Sequence, residues 1–404
     1  MRLSRGSRWF LASLVLLVAA GAGGLWWVDQ NVLDDGIEPG QPVEYTVERG
    51  ASVGSVGDDL AELGVVSSGF RFRTAAEQAD LTDRLQPGLF ELETGMSHQE
   101  AVEVLAAGPV APPTIRFTVP EGLTVAQTLE SLANQFEAHE VADFQAALDE
   151  RLEASEAYLE AAAAAEADEG DEDAADELTR AERALDAALE LPDWLPEPAE
   201  IDGPGIEPFE GVLWPQTYDI DDQAGPQQIL QRMVDQLADE FAALPDEAVD
   251  ELDDDERYEL LILASLVERE TRVDAERGMV AGVIANRLEE GMRLQIDATV
   301  VYALGGGPRD QVTFDDLEVD SPYNTYEIDG LPPTPISGVG TAALRAAAEP
   351  EDVPYRFYVL DAACDGTHRF AETGEQHQEN VEAFRAADRC IGDLDGDVVG
   401  EDDE

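Results

Sequence analysis

The segment YELLILASLVERET, residues 258–271, decides how this chain is read. Leu260, Leu261, Ile262, Leu263, Ala264, Leu266 and Val267 follow one another without a polar face. The pattern predicts a helix buried on most sides. That helix ends Glu268-Arg269-Glu270-Thr271, so it carries carboxylates to the edge of a core. Desolvation there raises a carboxyl pKa. The helix C-terminus disfavours negative charge and pushes the same way. A carboxyl that keeps its proton near neutral pH is a general acid. Glu270 lies nearer the helix end and is the first candidate, with Glu268 the second.

A second helix is predicted over AERGMVAGVIANRLEEGM, 275–292, followed by RLQIDATVVYAL, 293–304, a Gly-rich turn and SPYNTYEIDGLPP, 321–333. Gln295, Asp297, Thr299, Tyr323, Asn324 and Thr325 are polar or amphipathic groups in segments bounded by turn signals. Such groups can hydrogen-bond sugar hydroxyls and acetamides. Asn and Thr in Gly/Pro-rich segments more often just make turns.

Composition bounds the rest. The 404 residues allow two or three domains. Against 89 acids stand 24 bases, every one of them Arg, for a net charge of −65. Nucleic-acid binding needs a basic footprint, so that class is excluded. The surface suits high salt. Cys364 and Cys390 leave a disulfide and two free thiols equally open. No His-Glu-x-x-His or Cys-x-x-Cys spacing, Gly-x-Ser-x-Gly elbow or phosphate loop occurs. No metal and no cofactor is expected.

Residues 1–8 carry Arg2, Arg5 and Arg8, and 9–28 are uncharged. A bilayer takes roughly 20 apolar residues, so 9–28 read as an uncleaved transmembrane anchor rather than a cleaved signal peptide. Trp9, Trp26 and Trp27 mark its interfaces. The basic flank places 1–8 in the cytoplasm and the remainder outside. After a linker, 29–42, a small α+β module is expected over 43–110 and a larger α+β domain over 111–390. Within the latter, Thr124 is a helix N-cap. An Ala/Glu-rich, acidic and partly mobile insertion covers about 140–205, with Gly170 able to break it into a hairpin. PYRFYVLD, 354–361, reads as a buried strand, and 366–387 as a turn and a final helix. Residues 391–404 are an acidic tail.

Several ordered segments resemble one family. They are FTVPEGLT (117–124), EGVLWPQTY (210–218), LASLVERET (263–271), ANRL (285–288), GMRLQIDATVVY (291–302), YNTY (323–326), GLPP (330–333) and His368-x-Phe370 with Thr373 and His377. Together they resemble the endolytic peptidoglycan transglycosylases, the YceG-like or MltG family. The small module is similar to the LysM-like module of that family. Gly338-Val339-Gly340 stands where the family usually has Asn-Pro-Gly, which is expected to loosen that loop.

The resemblance implies a single-pass membrane enzyme that cuts nascent glycan strands internally. The bond is the β-1,4 linkage after N-acetylmuramic acid, and the product ends in a 1,6-anhydro sugar. Glu270 matches the second Glu of the family's Val-Glu-x-Glu-Thr motif. Gln295, Asp297, Tyr323 and Asn324 would orient sugars, while His368 and His377 read as structural. Peptidoglycan synthases are the implied partners. Two other readings remain: a muramidase with Asp297 as its second carboxylate, and a non-catalytic wall-binding scaffold.

Overall fold

The computed structural model describes residues 38–110, 113–167, 172–201, 203–249, 251–306, 312–363 and 365–387. The anchor expected at 9–28, the tail expected at 391–404, Cys364 and Cys390 lie outside them. Among the described residues no helix is long and apolar enough to cross a membrane. The chain divides into two compact units between Pro113 and Thr114. Both mix helix and strand, so the α+β expectation holds.

In the first unit, β1 (Pro42–Val47) pairs antiparallel with β2 (Gly88–Glu93), with Pro42 opposite Glu93 and Val47 opposite Gly88. Between them run α1 (Val53–Glu62) and α2 (Gly69–Gln78), and α3 (His98–Ala107) follows. Each helix begins at a serine whose hydroxyl accepts a backbone N–H: Ser52, Ser68 and Ser97. Such a cap satisfies a donor that the first turn would leave unpaired. Val56, Leu60, Phe72, Leu81, Phe90 and Leu105 form a core sealed from solvent. Gly57 and Gly69 let α1 and α2 approach closely: a Cβ on Gly57 would fall 2.7 Å from the Phe72 ring.

The second unit opens with β3 (Thr114–Thr118), α4 (Val125–Gln135), α5 (Val141–Ala167) and α6 (Glu172–Ala187). Thr124 caps α4 as expected, in a reciprocal box with Gln127. The acidic insertion does form a helical hairpin, but it is not a loose appendage. Phe144 and Leu148 of α5 are fully buried in the main core. Arg151 donates twice to Glu197, at 2.9 and 3.0 Å, and Ser155 donates to the same carboxylate at 2.8 Å. Polar composition hid an apolar stripe only a few residues wide.

The chain then returns through β4 (Thr217–Asp221), which pairs antiparallel with β3, and continues into α7 (Pro226–Ala242) and the short α8 (Asp246–Val249). The central helix is α9 (Asp254–Glu270). Asp253 caps it, and Asp254, Asp255 and Glu256 fill its first turn, where the dipole favours negative charge. Residues Leu260–Ile262 and Ala264–Val267 are buried. Leu261 has no exposed surface, so Leu261→Ala should cost about 2–5 kcal/mol.

Packed around α9 are α10 (Arg277–Glu289), α11 (Asp297–Ala303) and α12 (Thr341–Ala348). A two-stranded antiparallel sheet, β5 (Phe357–Leu360) and β6 (His368–Ala371), and then α13 (Gly374–Ala386) close the fold. Two expectations change here. The segment taken as a buried strand is only half-buried along its length, because it has a single partner strand. That partner, β6, falls where only a turn was read.

The Gly338-Val339-Gly340 segment is not loosened either. Gly338 N–H donates to the Leu123 carbonyl at 2.7 Å, and Gly122 N–H donates back to the Gly338 carbonyl at 2.9 Å. Val339 is fully buried between them. Main-chain bonds to the Pro120-Glu121-Gly122 turn do the work that a proline would otherwise do by restricting the backbone.

Candidate active site

Helix α9 ends at the wall of a cleft of about 1060 Å³. Glu270 lines this cleft together with Gln295, Asp297, Tyr326, Tyr358 and His368. Glu268, two residues earlier on the same helix, points elsewhere.

Glu270 accepts a hydrogen bond from the Tyr358 hydroxyl at 2.9 Å through one carboxylate oxygen. Desolvation dominates its electrostatics and pushes its pKa up to about 7, with the Asp297 charge adding to the rise. The Tyr358 hydroxyl, the Ala298 N–H and the Arg269 guanidinium oppose it. The side chain nevertheless retains partial exposure to the cleft. A carboxyl that is dry on one side and open on the other can hold a proton and deliver it.

Glu268 has the opposite surroundings. Arg277 donates to it at 3.2 Å, and the Gly340 N–H donates to the same oxygen at 3.3 Å. Its side chain is 9% exposed. Burial raises its pKa, but the neighbouring Arg277 charge opposes the rise. Glu268 ties α9 to α10 and to the N-terminus of α12.

Gln295 and Asp297 both reach the cleft. Gln295 has φ of 52°, a left-handed conformation uncommon outside glycine, and its N–H donates to the Thr325 carbonyl at 3.1 Å. Strain of this kind persists only where the surroundings enforce it. Thr325 does so, accepting the Ile296 N–H at 2.9 Å and meeting Thr299 at 2.9 Å. Asp297 accepts a 2.6 Å bond from the Tyr326 hydroxyl.

Tyr323 and Asn324 are not brought to the cleft. The Tyr323 hydroxyl is 2.6 Å from that of Thr334, and the ring is buried against Tyr302, with centroids 4.7 Å apart. Asn324 is fully buried and donates to the carbonyls of Leu317 and Val319 at 2.9 Å each. Its own side-chain oxygen accepts the Tyr326 N–H at 3.1 Å. These two residues shape the loop that presents Tyr326, so the cleft-lining position in Tyr323-Asn324-Thr325-Tyr326 is its last. Position within a turn-rich motif does not tell which residue faces outward.

His368 lines the cleft, and its Nδ1 lies 2.8 Å from Glu276, whose carboxylate also accepts the His368 N–H at 3.1 Å. The ring stands edge-on to Tyr358 at 5.4 Å. His377 stacks on Phe357 at 5.2 Å, and its pKa is lowered by burial and by the Arg287 charge. Arg287 donates to the carbonyls of Leu294, Arg293 and Arg356 and lies 5.1 Å over the Phe357 ring. Asn286 donates to the carbonyls of Val353 and Tyr355 at 2.7 and 2.9 Å. The Ala285-Asn286-Arg287-Leu288 segment thus fixes the strand that carries Tyr358.

Two contributors were not singled out from sequence. Tyr358 stands in an aromatic run with nothing to mark it. Glu210 had a signal: an acid leading directly into Gly-Val-Leu-Trp. It is 2% exposed and accepts from the Val125 N–H at 3.0 Å and the Tyr302 hydroxyl at 3.0 Å. Burial pushes its pKa up to about 8. It joins the start of α4 to α11, which flank the cleft through Gln127 and through Asp297 and Ala298.

Comparison with known proteins gives a consistent result. The model of the YceG-like family matches residues 45–383. An endolytic murein transglycosylase of Bacillus subtilis is 27% identical over 344 residues, covering 85% of this chain and 84% of the relative. One from Streptococcus pneumoniae serotype 2 is 28% identical over 390 residues, and there the match spans 92% of this chain but 64% of the relative. A crystal structure of a yceG-like protein from Listeria monocytogenes superposes with a TM-score of 0.51 at 27% identity, covering 84% of this chain and 99% of that one. With the family model running from residue 45 to residue 383, through most of the chain, the chain belongs to the YceG-like family.

Proposed function

We propose that the chain is an endolytic murein transglycosylase, a lyase that cuts peptidoglycan glycan strands internally with Glu270 as proton donor. One observation carries this reading: a carboxyl with its pKa pushed up to about 7 lies on a cleft of about 1060 Å³, large enough for several sugar rings. The protonated Glu270 gives its proton to the glycosidic oxygen as the C1–O bond breaks. The C6 hydroxyl of the muramic acid closes on C1, and its proton returns to the Glu270 carboxylate. No water is consumed, so one carboxyl serves as acid and then base, and the strand ends in a 1,6-anhydro sugar. Tyr358 holds Glu270 in place through its hydroxyl. Gln295 and Asp297 orient the sugars from the start of α11 and the residues just before it.

In this reading residues 9–28 anchor the chain in the cell membrane, with the N-terminus cytoplasmic and both units outside. The first unit's strand–helix–helix–strand order supports a LysM-like module that holds glycan. Peptidoglycan synthases supply the nascent strand. A hydrolytic alternative rests on Asp297, a second carboxylate in the same cleft. Mass spectrometry of digested strands separates the two: anhydro-ended products without added water support the lyase, and products heavier by one water support the hydrolase. Strand binding without any cleavage would leave only a scaffold.

A further inference from the structure

The cleft inverts the charge of the molecule around it. Acids outnumber arginines 89 to 24 along the chain, yet among the described residues the cleft is lined by Arg269, Arg272, Arg287 and Arg385 against only Glu270 and Asp297. Burial raises the Glu270 pKa, which shifts the local balance further towards positive charge.

Arg287 is committed to backbone carbonyls within the fold. The other three are exposed. Arg269 donates to the Gly122 carbonyl at 2.8 Å, a neutral acceptor. Among the described residues none of the three takes part in an ion pair, whereas Arg116, Arg151, Arg277 and Arg369, away from the cleft or at its back, each hold a carboxylate within 3.3 Å. Helix dipoles account for part of the pattern, since Arg269 and Arg385 stand in the last turns of α9 and α13. They do not account for Arg272, which lies beyond α9. Nor do they explain why a surface so rich in Asp and Glu leaves these cations unpaired.

We propose that Arg272 and Arg385, with Arg269 on the same cleft, bind the carboxylates of the peptide stems carried by the glycan, so that the cleft selects peptide-bearing strands over bare ones. This rests on the glycan-cleaving reading above. An anionic strand approaching this protein meets a strongly repulsive field, and a local cationic wall offsets that repulsion where the strand must lie. Arginine suits the task because its planar fork meets a carboxylate through two parallel bonds.

The test measures equilibrium binding to the full chain bearing Glu270→Gln, so that no turnover is required. The ligands are murein oligosaccharides with intact stems and the same oligosaccharides stripped of peptide by an amidase, with the lactyl carboxyls this frees on the muramic acids capped as methyl amides. Stemmed ligands should bind about fivefold tighter, the scale of two or three exposed charge pairs. Adding Arg272→Gln and Arg385→Gln should bring the two affinities together. Arg272→Lys with Arg385→Lys should keep most of the difference, and rising salt should erode it. Equal affinities before any arginine is changed would overturn the proposal. So would a preference that survives the double glutamine change. Neither result bears on whether Glu270 cleaves the strand, and failure of cleavage leaves the binding comparison intact.

Discussion

Glu210 and Glu270 both have their pKa pushed far up by burial, and only Glu270 is placed to act. Glu270 keeps an opening to a cleft and a single hydroxyl donor, Tyr358. Glu210 is walled in, with a backbone N–H and the Tyr302 hydroxyl directed at it. Its pKa is the higher of the two, about 8 against about 7. A raised pKa therefore reports dryness, and access decides between proton donor and brace.

The contrast breaks most sharply under substitution. Glu270→Gln should lower strand cleavage by about a thousandfold or more while leaving the melting temperature near that of the parent. Cleavage assayed by product chromatography checks this, and an active Gln variant would remove Glu270 from the mechanism. Glu210→Gln should do the reverse, costing stability by roughly 1–3 kcal/mol because an acceptor for two buried donors is weakened. It should also change how stability depends on pH. A carboxyl whose folded pKa is raised binds more protons folded than unfolded, so its contribution falls as pH rises from about 4.5 to about 8. Denaturant melts across that window should show this decline in the parent and a flatter profile in Glu210→Gln.

Smaller effects sharpen the description of the Glu270 side. Its Tyr358 hydrogen bond favours the ionised form. Tyr358→Phe should therefore raise the Glu270 pKa and move the alkaline fall in kcat/KM to higher pH. Asp297 acts in the opposite sense through its charge. Asp297→Asn should move that fall to lower pH, by less. Matched pH–rate profiles of the two variants read both signs, and shifts in the same direction would contradict the arrangement.

Much of this was legible beforehand, and the exceptions share a cause. The apolar run from Leu260 to Val267, interrupted only by Ser265, forecast a buried helix, because no packing choice could leave so many apolar side chains wet. Thr124 likewise forecast a helix start from local chemistry. What stayed hidden depends on partners distant in sequence. β6 exists because β5 lies beside it. Asn324 is buried because the carbonyls of Leu317 and Val319 converge on it. Tyr358 matters because it meets a carboxyl 88 residues away. Phe144 and Leu148 anchor a helix whose composition reads as solvent-facing.

The central claim is that Glu270 holds a proton near neutral pH. Carbon-detected NMR titration of its side-chain carboxyl, assigned by the resonance lost in Glu270→Gln, measures this directly. The account predicts a midpoint of about 7. A midpoint near 4.5, the value of an ordinary glutamate, would contradict it.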